Sequence, residues 1–183
     1  MELFEALRSR SSVRDYLPVP LSPRELEGLQ EAALLAPTSL NLQEQKFFFV
    51  TDPHILDRII AGMIEVSRER GEWDYLERLE QRQGKALFGA PLLVVIAAKA
   101  ANNYIEVDAG IAAQSIALAA KAMGLDSVIM AAPDRVFTGS RAPEYHALLG
   151  LPPGYRFTIA VAVGHAAGEF SPHTPTPENI ISL

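Results

Sequence analysis

Apolar and polar positions alternate between two periods along this chain, and the switches mark its elements. Leu3, Phe4 and Leu7 share one side of a short first helix over Glu2–Arg8. Ser22-Pro23-Arg24-Glu25 reads as a helix start, with a capping serine, proline at the first helical position and a glutamate that closes a capping box. That helix carries Leu26, Leu29, Ala33 and Leu34 on one face, and Pro37 stops it by disfavouring helix at Ala36. Lys46–Val50 is a strand, and Asp52-Pro53 opens a helix reaching about Gly62. Residues 63–83 are the most polar part and predict an exposed helical excursion bearing Trp73 and Tyr75. Gln83–Phe88 reads as short and helical. Pro91–Ala98 is a solid apolar run, as expected of a strand covered on both faces.

Ile105–Met123 is the longest predicted helix, apolar nearly all round and followed by Gly124 as its C′ residue. Such a helix must be buried nearly all round. A small domain encloses it poorly, which points to a covering subunit. Ser127–Ala131 is a strand, Pro143–Leu149 a helix ended by Gly150, and Arg156–Val163 a strand. That last strand sets Phe157, Ile159, Val161 and Val163 against Arg156, Thr158, Ala160 and Ala162. Beyond Gly164 no core pattern remains, so the tail is either loose or pinned to another subunit. Four strands and about six helices interleave, which places the chain in the α/β or α+β class.

Composition narrows the chemistry. The 183 residues suit one domain with a real core. A net charge of −6 offers no basic field for nucleic acid. The absence of cysteine removes disulfides, thiolate catalysis and iron–sulfur clusters, and it fits a cytoplasmic protein. The N-terminus lacks a signal peptide's apolar core, and no apolar stretch reaches the roughly 20 residues a membrane span needs. His54, His146, His165 and His173 show no metal-ligand spacing, so no metal site is expected. No strand is followed by a glycine-rich phosphate loop, and no nucleophile elbow appears.

Two segments carry more hydrogen-bonding capacity than their turns require. Arg10-Ser11-Ser12-Val13-Arg14 supplies two guanidiniums and two hydroxyls, a donor set suited to phosphate. Ala36-Pro37-Thr38-Ser39-Leu40-Asn41-Leu42-Gln43 is a rigid polar loop between a helix and an apolar strand. A phosphate-bearing cofactor held between the two is the simplest common purpose.

These residues resemble a known family. Arg10–Tyr16 is similar to the N-terminal Arg/Ser signature of the FMN-dependent nitroreductases, and Ala36–Gln43 to their Ala-Pro-Ser-Ser-x-Asn-x-Gln loop. Gly89–Val95 looks like their Ala-Pro-strand element, and Asp108–Leu125 like their long central helix. The four matches occur in the family's order and span most of the chain.

The resemblance implies an α+β fold of three α/β/α-like layers, a mostly antiparallel sheet flanked by helices, in an intertwined homodimer. The tail 164–183 would cross to the partner. Arg10, Ser12 and Arg14, with Ser11 adjacent, would hold the FMN phosphate and ribityl chain. Pro37, Thr38, Ser39 and Asn41 would come from the other subunit. Gln83 and Lys85 would sit near the pyrimidine edge, the backbone at Ala131–Ala132 would pass the flavin ring, and His173 would stand where relatives reach the phosphate with basic residues. Ser11 stands where many members carry a second basic residue, and Ala86 where some carry a lysine. The implied activity is ping-pong transfer of electrons from NADH or NADPH through FMN to a nitroaromatic, quinone or activated alkene, with no acid–base side chain needed. The alternatives are a flavin-binding or regulatory dimer with little turnover, and a flavin-modifying or dehalogenating member of the same fold.

Overall fold

A computed structural model of the chain describes residues 1–183. Seven α-helices surround one four-stranded sheet: α1 (Leu3–Ser9), α2 (Pro23–Leu34), β1 (Gln45–Val50), α3 (Pro53–Glu69), α4 (Trp73–Gln81), β2 (Leu92–Lys99), α5 (Ile105–Ala122), β3 (Asp126–Met130), α6 (Asp134–Phe137), α7 (Ala142–Leu149) and β4 (Tyr155–Gly164). The strand order is β1-β2-β4-β3, and every neighbouring pair is antiparallel. The fold is therefore α+β, with helices on both faces of an antiparallel sheet. No helix is long and apolar enough to cross a membrane.

The start of α2 forms as its sequence dictates. The Ser22 hydroxyl accepts from the Glu25 amide, and Glu25 accepts in return from the Ser22 amide at 2.7 Å. β2 is a solid apolar run because it is central and covered on both faces. Leu93 and Val95 face α3, α6 and α7, while Leu92, Val94 and Ile96 face α2 and α5.

Three local expectations change. α3 continues past Gly62 to Glu69, because Met63, Val66 and Ser67 keep the 3.6-residue stripe and are buried. The exposed excursion thus shrinks to α4 and its flanks. The segment 83–88 is turns rather than helix, with Gln83 and Phe88 at positive φ. The alternation in β4 breaks at Thr158, where Ile96 pairs with Ile159 but Ala97 pairs with Phe157. The extra residue turns Phe157 to the α6–α7 face, and the Thr158 hydroxyl donates to the Ile96 carbonyl at 2.7 Å. α5, as expected of so apolar a helix in a small domain, is not enclosed within one chain: Val107 is 61% exposed and Ile111 37%.

Candidate functional site

The richest hollow lies where the end of β3 meets α4. Strand residues Val128 to Met130, with Ala131 and Ala132 beyond, make an apolar floor. α4 makes one wall, presenting Tyr75, Arg78 and Leu79, with Arg82 just after it. Arg14 and Lys85 close one end, and the main hollow holds about 230 Å³. It shares Arg14, Arg82, Lys85 and Phe88 with an adjoining hollow of about 260 Å³ that Gln83 also lines. It shares Tyr75, Ala131 and Ala132 with another of about 480 Å³ bounded by Arg135. The three form one trough.

The trough's walls are held by specific contacts. Arg135 on α6 donates through Nε to Glu72 at 2.7 Å and to the Ser67 hydroxyl at 3.0 Å, and its guanidinium lies 4.1 Å from the centre of the Tyr75 ring. Burial raises the Glu72 carboxyl, but hydrogen bonds from Arg135 and Ser67 outweigh it and hold the group below the usual carboxylate range. Burial pushes the Tyr75 phenol above its ordinary value, against the lowering effect of Arg135, so it stays a donor at neutral pH. Its hydroxyl is shielded from solvent and has no partner. At the other end Lys85 pairs with Asp15 at 3.0 Å.

Of the sequence-predicted residues, the trough brings together Arg14, Gln83, Lys85, Ala131 and Ala132. Arg10, Ser11 and Ser12 line none of it. Arg10 follows α1, Ser11 is buried, and Ser12 pairs as a parallel bridge with Ser127 of β3, upstream of the floor. The loop of Pro37, Thr38, Ser39 and Asn41 is elsewhere. Ser39 donates its amide and hydroxyl to Asp108 of α5 at 2.9 and 2.8 Å, so the loop belongs to the α2–α5 side of the sheet. Within this loop, Thr38 accepts from the Gln43 amide at 3.0 Å and Asn41 from the Gln43 side chain at 2.8 Å. His173 lies on the exposed tail.

Arg78, Arg82 and Arg135 were not among the expected site residues. Arg78 and Arg82 stand in a stretch mixing Glu and Arg that reads as an exposed excursion, and nothing in the sequence around Arg135 sets it apart. The spacing of Tyr75, Arg78 and Arg82 at i, i+3 and i+7 was the available signal of a shared helix face. Trp73, on the same excursion as Tyr75, is 66% exposed and lines a different hollow behind α4.

The fold has known relatives. The model of the nitroreductase family matches residues 7–165. Protein DrgA of Synechocystis is 28% identical over 183 residues, covering 90% of this chain and 84% of its own. An FMN-bound nitroreductase from Desulfitobacterium hafniense superposes with a TM-score of 0.94 at 28% identity, covering 100% of this chain and 99% of that one. The FMN- and NADPH-dependent nitroreductase NfnB, from a Sphingopyxis strain, shares the fold with a TM-score of 0.79 at 22% identity, covering 100% of this chain and 99% of its own.

Proposed function

This chain belongs to the nitroreductase family, and from that premise we propose that it is an FMN-dependent oxidoreductase. It passes electrons from NADH or NADPH to an electron-poor small molecule, a nitroaromatic, quinone or activated alkene, in alternating half-reactions. The observation that carries this reading is the trough. Its end is cationic, its floor is apolar, and five residues expected around a flavin converge on it.

The side chains present fit FMN. Arg14 has no carboxylate partner, so its guanidinium is available to fork onto an anionic oxygen. Lys85 is aimed by Asp15 and serves as an oriented donor rather than a free charge. Gln83 offers an amide donor and acceptor for the pyrimidine edge. Ala131 and Ala132 put only methyl groups beside the floor, leaving room for a planar ring. The apolar floor excludes water, which strengthens each polar contact around it. Bound there, FMN supplies the two-electron hydride chemistry that no side chain here provides.

A second copy of the chain completes the site in this reading. The trough and the Pro37–Asn41 loop lie on opposite sides of one sheet, so a partner's loop and its tail 164–183 would supply what one chain cannot. The open flank of α5, with Val107 and Ile111, is the surface such a partner would cover. The purified protein should be yellow, and anaerobic NAD(P)H should bleach it. Arg14→Ala should lose flavin while its circular dichroism stays native. Protein that stays colourless after incubation with FMN would overturn the reading. The Lys85–Asp15 pair favours one rival, a flavin-binding dimer with little turnover. It predicts bound flavin that dithionite reduces and nicotinamide does not.

A further inference from the structure

The main hollow has an unbalanced charge. Arg14, Arg78, Arg82 and Lys85 line it, and no acidic residue does. The chain as a whole carries 22 acidic and 16 basic side chains, so this local excess runs against the composition. Lys85 is neutralised by Asp15, and the neighbouring Arg135 by Glu72. Arg14 is assigned to the cofactor above. Arg78 and Arg82 remain, and neither has a carboxylate partner although Asp74, Glu77 and Glu80 stand on the same helix.

Arg78 and Arg82 stand four residues apart, with Arg82 as the residue that caps the end of α4. Two cations so placed repel each other, and an anion between them would offset that repulsion. The Arg82 guanidinium lies 5.3 Å from the centre of the Phe88 ring. Stacking uses the face of the guanidinium and leaves its N–H edge available. Tyr75 lines the same wall, with its hydroxyl shielded from solvent. The hollow therefore offers two unpaired guanidiniums on one wall, an apolar floor, and no carboxylate among its lining residues.

Resting on the flavin-oxidoreductase reading, we infer that this face of α4 is an oxyanion subsite for the reactant, with Arg78 and Arg82 as its cations. Its ligand carries a carboxylate or phosphate in addition to the group that exchanges electrons. Two sources share that chemistry: an acidic aromatic acceptor, and the phosphate-bearing nicotinamide donor.

The test uses FMN-loaded protein and the variant Arg78→Gln/Arg82→Gln, which keeps polar side chains of similar reach. 4-Nitrobenzoate and neutral 4-nitrobenzyl alcohol are titrated against the visible flavin band. kcat/KM is then compared within that pair at fixed donor, and between NADPH and NADH at fixed acceptor. Losing charge-assisted hydrogen bonds should lower the preference for the member with the additional oxyanion by about tenfold or more in at least one pair. The pair that responds identifies the source. A fall in the nitrobenzoate ratio, with a matching rise in its Kd, assigns the acceptor. A fall in the NADPH-over-NADH ratio assigns the donor. If both ratios stay unchanged, the arginines are merely solvated and the inference fails. If the variant loses its flavin, the guanidiniums hold the cofactor instead, and the inference also fails. A colourless wild-type protein would remove the flavin reading and this subsite with it.

Discussion

Asp108 shows how far one buried side chain can act. It is 2% exposed, yet its Oδ1 accepts both the amide and the hydroxyl of Ser39. The loop it holds is strained, with Leu40, Asn41 and Gln43 at φ of 53°, 53° and 50°. Side chains other than glycine pay for such angles, so an outside anchor is needed. Asp108→Ala should cost about 1–3 kcal/mol in denaturant unfolding, because two part-buried donors lose a charged acceptor. Asp108→Asn keeps an acceptor oxygen and should recover most of that loss. The sequence made both partners visible, Ser39 as a loop donor and Asp108 as a polar interruption of an apolar helix. Their pairing across 69 residues was not visible, since nothing local in either segment encodes it.

At the scale of elements, α4 is the piece most dependent on a few polar contacts. It buries only Leu79 and leans on the Arg135–Glu72–Ser67 cluster. The Glu72 carboxyl titrates lower when folded than when unfolded. Its contribution is thus complete above the unfolded value, near 4.3 for glutamate, and is lost as pH falls through the lower folded value. The Tm difference between wild type and Glu72→Gln should therefore hold steady near neutrality and narrow below about pH 4. A difference that persisted unchanged into acid would assign the effect to packing. β4 carries a second element-scale lesson. Strict alternation sends Phe157 to the α5 face, and only the register with β2 reveals the bulge that turns it the other way. There it stacks on Phe137, ring centres 5.3 Å apart. Thr158→Val should cost about 0.5–1.5 kcal/mol by removing the hydroxyl that satisfies Ile96.

Across the whole molecule, the unfinished surface is the one around α5. Val107 and Ile111 on α5, Leu34 and Leu35 at the end of α2, and Leu3 and Phe4 on α1 are all exposed. Exposed apolar area of this kind marks an interaction surface. In the proposed dimer, Ile111→Glu should bury a charge without a partner and shift the protein to monomer in sedimentation. The same variant should lose most of its flavin, because the trough would lack the partner's Pro37–Asn41 loop. Monomers that keep stoichiometric flavin would show that one chain suffices.

The sequence by itself determined the elements, because hydrophobic period, proline and capping chemistry are local signals. α2, β2, α5 and the start of α3 lie within a residue or two of where those signals put them. It also exposed the two donor-rich segments and the misfit between an all-apolar α5 and a small domain. Tertiary structure alone decided what is adjacent to what. It brought Gln83 and Lys85 to Arg14, and it extended α3 by burying residues that looked solvated. It turned a polar stretch of Glu and Arg into one arginine-bearing wall of the trough. Side-chain type is written in the chain, but a charge acquires a role only from the groups that folding sets around it.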